Sequence, residues 1–252
     1  HMLLPGAEYT GRLSIIDIGI PPYIVQSVDP QHQLLTAGWI RSRLSPRDLQ
    51  THKGQTGHVL AVAGGTGKTG AAVMTGMSAL RAGAGLVTLA VAQSLNASIE
   101  AQAAEVMTHP LADGGSGRLG ADAADEILSL LSDKKCLALG PGMGTHEDTQ
   151  ELVQALIEKS PVPVVVDADG INCLAANPAV LGKKHAEVIL TPHPGEMARL
   201  ADMKTAAIQS DRIAAARQFA GDHQVHLVLK GARTVIAHPD GRIFVNPTGN
   251  PG

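Results

Sequence analysis

From His58 onward the chain alternates short apolar runs with alanine-rich helical patterns, and nearly every run ends in a cluster rich in glycine, proline or aspartate. Repeated strand-then-helix patterning predicts an α/β fold with a mostly parallel sheet, because parallel neighbours need a crossover and both sheet faces must be covered. The predicted strands are 59–63, 86–91, 136–139, 162–166, 188–190 and 225–229, with helices over 71–81, 121–131, 147–158, 196–200 and 210–220. A last pair of runs, 234–237 and 242–245, is joined by Pro239-Asp240-Gly241 and reads as a terminal hairpin. Residues 1–50 lack this alternation. There, 14–20 reads as a strand stopped by Pro21-Pro22 and 34–44 as a short helix, so that 1–33 forms a leader and 34–252 the domain.

The 252 residues, 44% of them apolar, suffice for one large core. A net charge of −3 gives no basic field for nucleic acid or an anionic membrane. The aromatic residues Tyr9, Tyr23, Trp39, Phe219 and Phe244 are too few for a base-stacking platform. No nucleic-acid or membrane partner is therefore expected. No apolar run reaches spanning length, and Cys136 and Cys173 lie far apart without metal-ligand spacing, so a cytoplasmic protein with buried thiols is expected.

The loops carry more information than the strands. Gly64-Gly65-Thr66-Gly67, Gly140-Pro141-Gly142-Met143-Gly144, Asp167-Ala168-Asp169-Gly170, Thr191-Pro192-His193-Pro194-Gly195-Glu196 and Lys230-Gly231 each follow a strand at its carboxyl end. In open α/β sheets those ends face the ligand, so five such loops on one edge predict a large site.

Gly65-Thr66-Gly67-Lys68-Thr69-Gly70 matches the GxGxxG dinucleotide pattern, yet no Asp or Glu occurs between Asp48 and Glu100, where the ribose-binding carboxylate should stand. A Walker A loop would need glycine where Val62 stands. What survives is a glycine loop that either brings backbone N–H groups up to an anionic or planar ligand or simply makes a tight turn. The 140–144 segment reads as a rigid floor, poor in side chains, for a flat ligand. Asp167 and Asp169 could hold a hydroxyl or a metal, or Asp169 could cap the helix that follows. His193, fixed by Pro194, either caps a helix or walls the pocket, and its company on the sheet edge favours the wall. Lys230 could hold a phosphate or be a solvated charge.

His52-Lys53-Gly54-Gln55-Thr56-Gly57-His58, Gly70-Ala71-Ala72 and the segments 79–88, 140–144, 167–172, 191–196 and 230–234, in that order and spacing, resemble the nucleotide-dependent NAD(P)H-hydrate dehydratases over residues 34–252. The resemblance implies a ribokinase-like fold and repair of hydrated NADH or NADPH at the expense of ADP, preferred here over ATP, with magnesium accompanying the nucleotide. It implies that Ala71, Gly142, Gly144 and His193 line the hydrate pocket, that Asp169 and Asn172 orient hydroxyls, and that Lys230, Gly231, Ala232, Arg233 and Thr234 hold the adenine nucleotide. No metal ligand is identified. A homotetramer is expected from the family. Residues 11–21 resemble the closing strand of an epimerase domain often fused ahead of this one, and no epimerase activity is expected in this chain. In the family, the pattern begun by Thr248-Gly249-Asn250-Pro251-Gly252 continues to an aspartate that serves as acid/base. None of the 252 residues is therefore assigned that role, the domain is read as lacking its C-terminal end, and poor turnover by this chain alone is expected. The competing readings are a kinase of a small hydroxylated metabolite or vitamin and a noncatalytic nucleotide-binding fragment.

Overall fold

The structure, a computed structural model, describes residues 6–12, 14, 16–44 and 46–249. Helix α1 (Pro22–Val28), strand β1 (His32–Leu34) and helix α2 (Ala37–Arg41) precede the body. The body runs β2 (His58–Val62), α3 (Thr69–Ala82), β3 (Leu86–Ala92), α4 (Asn96–Glu100), β4 (Met107–Leu111), α5 (Ala124–Leu130), β5 (Cys136–Leu139) and α6 (Glu147–Lys159). It continues through β6 (Val164–Val166), α7 (Asp169–Leu174), β7 (Val188–Leu190), α8 (Pro194–Leu200), α9 (Thr205–Ser210), α10 (Arg212–His223), β8 (His226–Leu229), β9 (Val235–Ala237) and β10 (Ile243–Val245).

All ten strands form one sheet in the order β1-β10-β9-β8-β7-β6-β5-β2-β3-β4. Every pairing is parallel except those on the two sides of β9, so the expected terminal hairpin β9–β10 is present and β8–β9 forms a second one. Alternate residues of β2 enter opposite layers. Leu60 and Val62 join the larger core with Leu137 and Leu152, while Ala61 and Ala63 pack with Ala72, Leu89 and Ile99. Helix α6 buries Thr149, Leu152, Val153, Leu156 and Ile157, the i, i+3, i+4, i+7, i+8 stripe of a helix seated on a sheet.

The predicted strand and helix cores are present, with shifted boundaries. Strand β4 is not among the predicted strands; it contains Pro110, which it accommodates because it is an edge strand where a missing N–H is tolerated. Strand β1 is short and polar and exists through its pairing with β10. The strand expected over 14–20 is not formed. Ser14 and residues 16–20 are irregular, with Ile16, Ile18 and Ile20 exposed, and Ile15 lies outside the described residues. Pro21 and Pro22 end no strand there; Pro22 opens α1, because proline's fixed φ suits a first helical position and its missing N–H is not needed.

Candidate functional site

Strand β2 lies between β3 and β5, the point where the strand order reverses. The connections leaving β2 and β5 therefore run in opposite directions, and the carboxyl edge at such a point is the usual place for a ligand crevice in open α/β sheets. Their glycines are required by close backbone contact. Gly140 has φ +123°, and a Cβ on it would lie 2.1 Å from the Asp167 carbonyl oxygen. A Cβ on Gly142 would lie 2.8 Å from the Ala71 methyl, and one on Gly65 would lie 2.9 Å from the Gly142 carbonyl. Ala71 and Gly142, both expected in the hydrate pocket, are thus neighbours. Three N–H groups of the β2 loop are already engaged: Gly64 donates to Pro141 (2.7 Å), Thr66 to Gly117 (3.0 Å) and Lys68 to Gly65 (2.8 Å). The first two hold neighbouring loops together and the third closes a turn within the loop, so these three donors are engaged inside the protein.

Asp167 and Asp169 point to different lysines. The Lys68 ammonium lies 2.8 Å from Asp169 Oδ2, which also accepts the Gly144 N–H at 2.9 Å. The Lys230 ammonium lies 2.6 Å from Asp167 Oδ1 and 3.9 Å from Glu196 Oε2. Lys230 is therefore tethered, not a free solvated charge. Between the two aspartates Ala168 takes φ 52° and ψ −120°, a sparsely populated conformation for a residue with a side chain. Asp169 is not a helix cap. Ala168 holds that position without a side-chain bond, and Asp169 is the first helical residue, its carboxylate turned to the crevice. Burial alone would raise the Asp169 pKa, but bonds from Lys68, Gly144 and Asn172 outweigh burial and lower it. Asn172 also accepts from Arg199 Nε at 2.9 Å, joining α7 to α8. Beside them, burial and then the Asp169 charge push the Cys173 thiol up to about 12, so it is inert at neutral pH.

His193 does cap α8. Its Nδ1 accepts the N–H groups of Gly195 (2.9 Å) and Glu196 (3.4 Å), and Glu196 Oε2 accepts the His193 N–H (2.8 Å), completing a capping box. The cap reading that the sequence made secondary is thus correct. Nε2 lies 3.4 Å from Glu196 Oε1, and the side chain stays 51% exposed, so the cap and Glu196 together fix the orientation of the ring. Glu196 is buried and links His193 to Lys230.

Lys230, Gly231, Ala232, Arg233 and Thr234 form the loop between β8 and β9, with Gly231 at φ +141° and Arg233 at φ +59°. Lys230 N–H donates to Pro192 O at 2.8 Å, fastening this loop to the His193 loop. Thr234 Oγ1 donates to Gly231 O at 3.2 Å, and the Arg233 guanidinium donates to the Pro247 carbonyl. Sequence reasoning missed Lys68, Arg199 and Arg212 as parts of the edge. Lys68 was visible inside a motif, but its partner lies 101 residues away.

The sheet order and edge define a class. A ribokinase-like superfamily protein from Enterococcus faecalis shares the fold, with TM-score 0.71 and 21% identity, covering 88% of this chain and 73% of that one. An ADP/ATP-dependent NAD(P)H-hydrate dehydratase from Bacillus subtilis, co-crystallised with ATP and Mg2+, has TM-score 0.73 and 33% identity, covering 86% of this chain and 73% of that one. A family model described as NAD(P)H-hydrate dehydratase matches residues 59–252, and the chain belongs to that family. The bifunctional NAD(P)H-hydrate repair enzyme Nnr of Moorella thermoacetica is 48% identical over 98% of this chain and 47% of its own length. The Escherichia coli enzyme of the same name is 35% identical over 97% and 44%. The chain spans about half the length of the curated relatives it matches. Among the described residues, no helix is long and apolar enough to cross a membrane.

Proposed function

We propose that the chain carries the nucleotide-dependent dehydration of (S)-NAD(P)H hydrate to NAD(P)H, with ADP preferred over ATP and converted to AMP and phosphate. The observation that supports it most is a physical chain: His193, Glu196, Lys230 and Asp167 join the proposed hydrate pocket to the proposed nucleotide loop along one sheet edge. Such a reaction needs both ligands side by side. The hydroxyl of a hydrated dihydronicotinamide leaves poorly until it is phosphorylated. Transfer of the terminal phosphoryl group makes it a phosphate leaving group; the ring nitrogen's electron pair then expels phosphate, and loss of a proton from the adjacent ring carbon restores the conjugated ring. Catalysis of this kind rests on positioning and charge stabilisation.

In this reading Ala71, Gly142, Gly144 and His193 wall the hydrate, Asp169 and Asn172 orient its hydroxyls, and residues 230–234 hold the nucleotide. Magnesium comes with the nucleotide phosphates. In this reading the ion is bound chiefly by phosphate and water; among the described residues no group of three or more His, Cys, Asp or Glu could hold a metal. Asp167 and Glu196 are the carboxylates nearest Lys230 that could assist it. A homotetramer belongs to the same reading and is checked by light scattering.

The test is incubation of hydrated NADH with the protein and ADP, ATP or no nucleotide, following return of dihydronicotinamide absorbance. Recovery with ADP faster than with ATP, and none without nucleotide, is expected. A stable phosphorylated product without recovery would instead identify a kinase.

A further inference from the structure

Arg212 opens α10, where the positive end of the helix dipole opposes a cation, and burial pushes its pKa down. Among the described residues no carboxylate pairs with it, and the adjacent Asp211 is occupied in capping the helix through Ala214 N–H at 2.9 Å. What offsets these costs is the loop between β8 and β9. Arg212 Nη1 donates to Ala232 O (2.7 Å) and Arg233 O (3.3 Å), and Nη2 donates to Leu229 O (2.9 Å) and Lys230 O (3.0 Å).

The loop is wrapped on the guanidinium. A Cβ on Gly231 would lie 2.9 Å from Nη2, so this approach needs glycine. Close packing does not impose the shape, since a cavity of about 210 Å³ borders the same face, lined by Ser210, Asp211, Arg212 and Gly231 among others. A trans peptide points its C=O and its N–H in opposite directions. Drawing the carbonyls of Lys230, Ala232 and Arg233 onto Arg212 therefore turns the N–H groups of Gly231, Arg233 and Thr234 away from it.

We propose that Arg212 is a positioning residue that shapes the nucleotide loop: it gathers four carbonyls on one side so that the amides of Gly231 and Thr234 are presented to the nucleotide on the other. This rests on the reading of residues 230–234 as the nucleotide site. Lysine cannot replace the fork, because a compact ammonium lacks two planar donor arms.

The test compares wild type, R212K and R212M by calorimetric titration with Mg-ADP and, separately, NADPH, and by amide hydrogen exchange of residues 229–234 without ligand. R212M should weaken ADP binding about tenfold or more, leave NADPH binding unchanged and speed exchange at Gly231 and Thr234, with R212K between the two. Unchanged ADP binding in R212M, or equal loss of both ligands, overturns the inference. Failure of the wild type itself to bind ADP overturns the reading on which it rests, and with it the inference.

Discussion

Lys68 and Asp169, 101 residues apart, meet at 2.8 Å across the point where the strand order reverses. Asp169 Oδ2 also holds the Gly144 N–H, so one carboxylate ties the loops after β2 and β5 to the start of α7. Asp169 is mostly buried, whereas Lys68 is half exposed. Removing the carboxylate leaves a cation and an amide without their acceptor, while removing the screened ammonium costs less. D169A should raise the KM for the hydrate about tenfold or more at saturating nucleotide, and K68M should raise it less. Steady-state kinetics with K68M as damaging as D169A would contradict this ordering.

His193 caps α8, and in the proposed function it also walls the hydrate, two duties that substitution can separate. Asparagine is a good N-cap and alanine is not. H193A should therefore lose about 0.5–2 kcal/mol of stability as well as hydrate affinity, whereas H193N should keep the stability and lose only the affinity. Urea unfolding together with the hydrate KM of both variants decides it. Unaltered KM in H193N would remove His193 from the pocket.

Gly140 stands where a side chain would strike the Asp167 carbonyl oxygen at 2.1 Å, with φ +123°. G140A should destabilise the protein by about 3 kcal/mol or more, because backbone must move on both sides of the crevice. G67A also has φ +77°, but its Cβ meets nothing within 4 Å, so it should cost less. Similar urea midpoints for the two would refute this packing argument.

Burial is the largest cause lowering the pKa of His58, His223 and His238, with Lys134 adding at His58, Lys184 at His223 and His226 at His238. Asp133, Asp222 and Asp240 oppose these shifts in turn. Each folded pKa lies below the unfolded one, so the unfolded chain binds more protons in that interval. The stabilisation is complete above the unfolded value of about 6.5 and is lost as pH falls through the folded values. Urea midpoints should drop as the pH falls below about 6.5. A flat profile would contradict the assignment.

Strand order itself was not legible in the sequence, but the strand cores and the loops at their carboxyl ends were, because apolar runs and glycine clusters are local signals. Pairings between distant loops were not. Nothing near Asp169 announces Lys68, and a lone Arg212 at a helix start gives no sign of the four carbonyls that surround it. His193 shows the reverse case: its cap was readable from Pro194 and Glu196, and it leaves the side chain half exposed.

The most direct measurement is amide chemical-shift mapping of the chain titrated in turn with NADPH, the product of the proposed reaction, and with Mg-ADP. NADPH should shift the amides of Ala71, Gly142, Gly144, Asp169, Asn172 and His193, and ADP those of Gly231, Ala232, Arg233 and Thr234. Shifts from both ligands that avoid these two sets, or that fall together on a different face of the sheet, would contradict the placement of both sites.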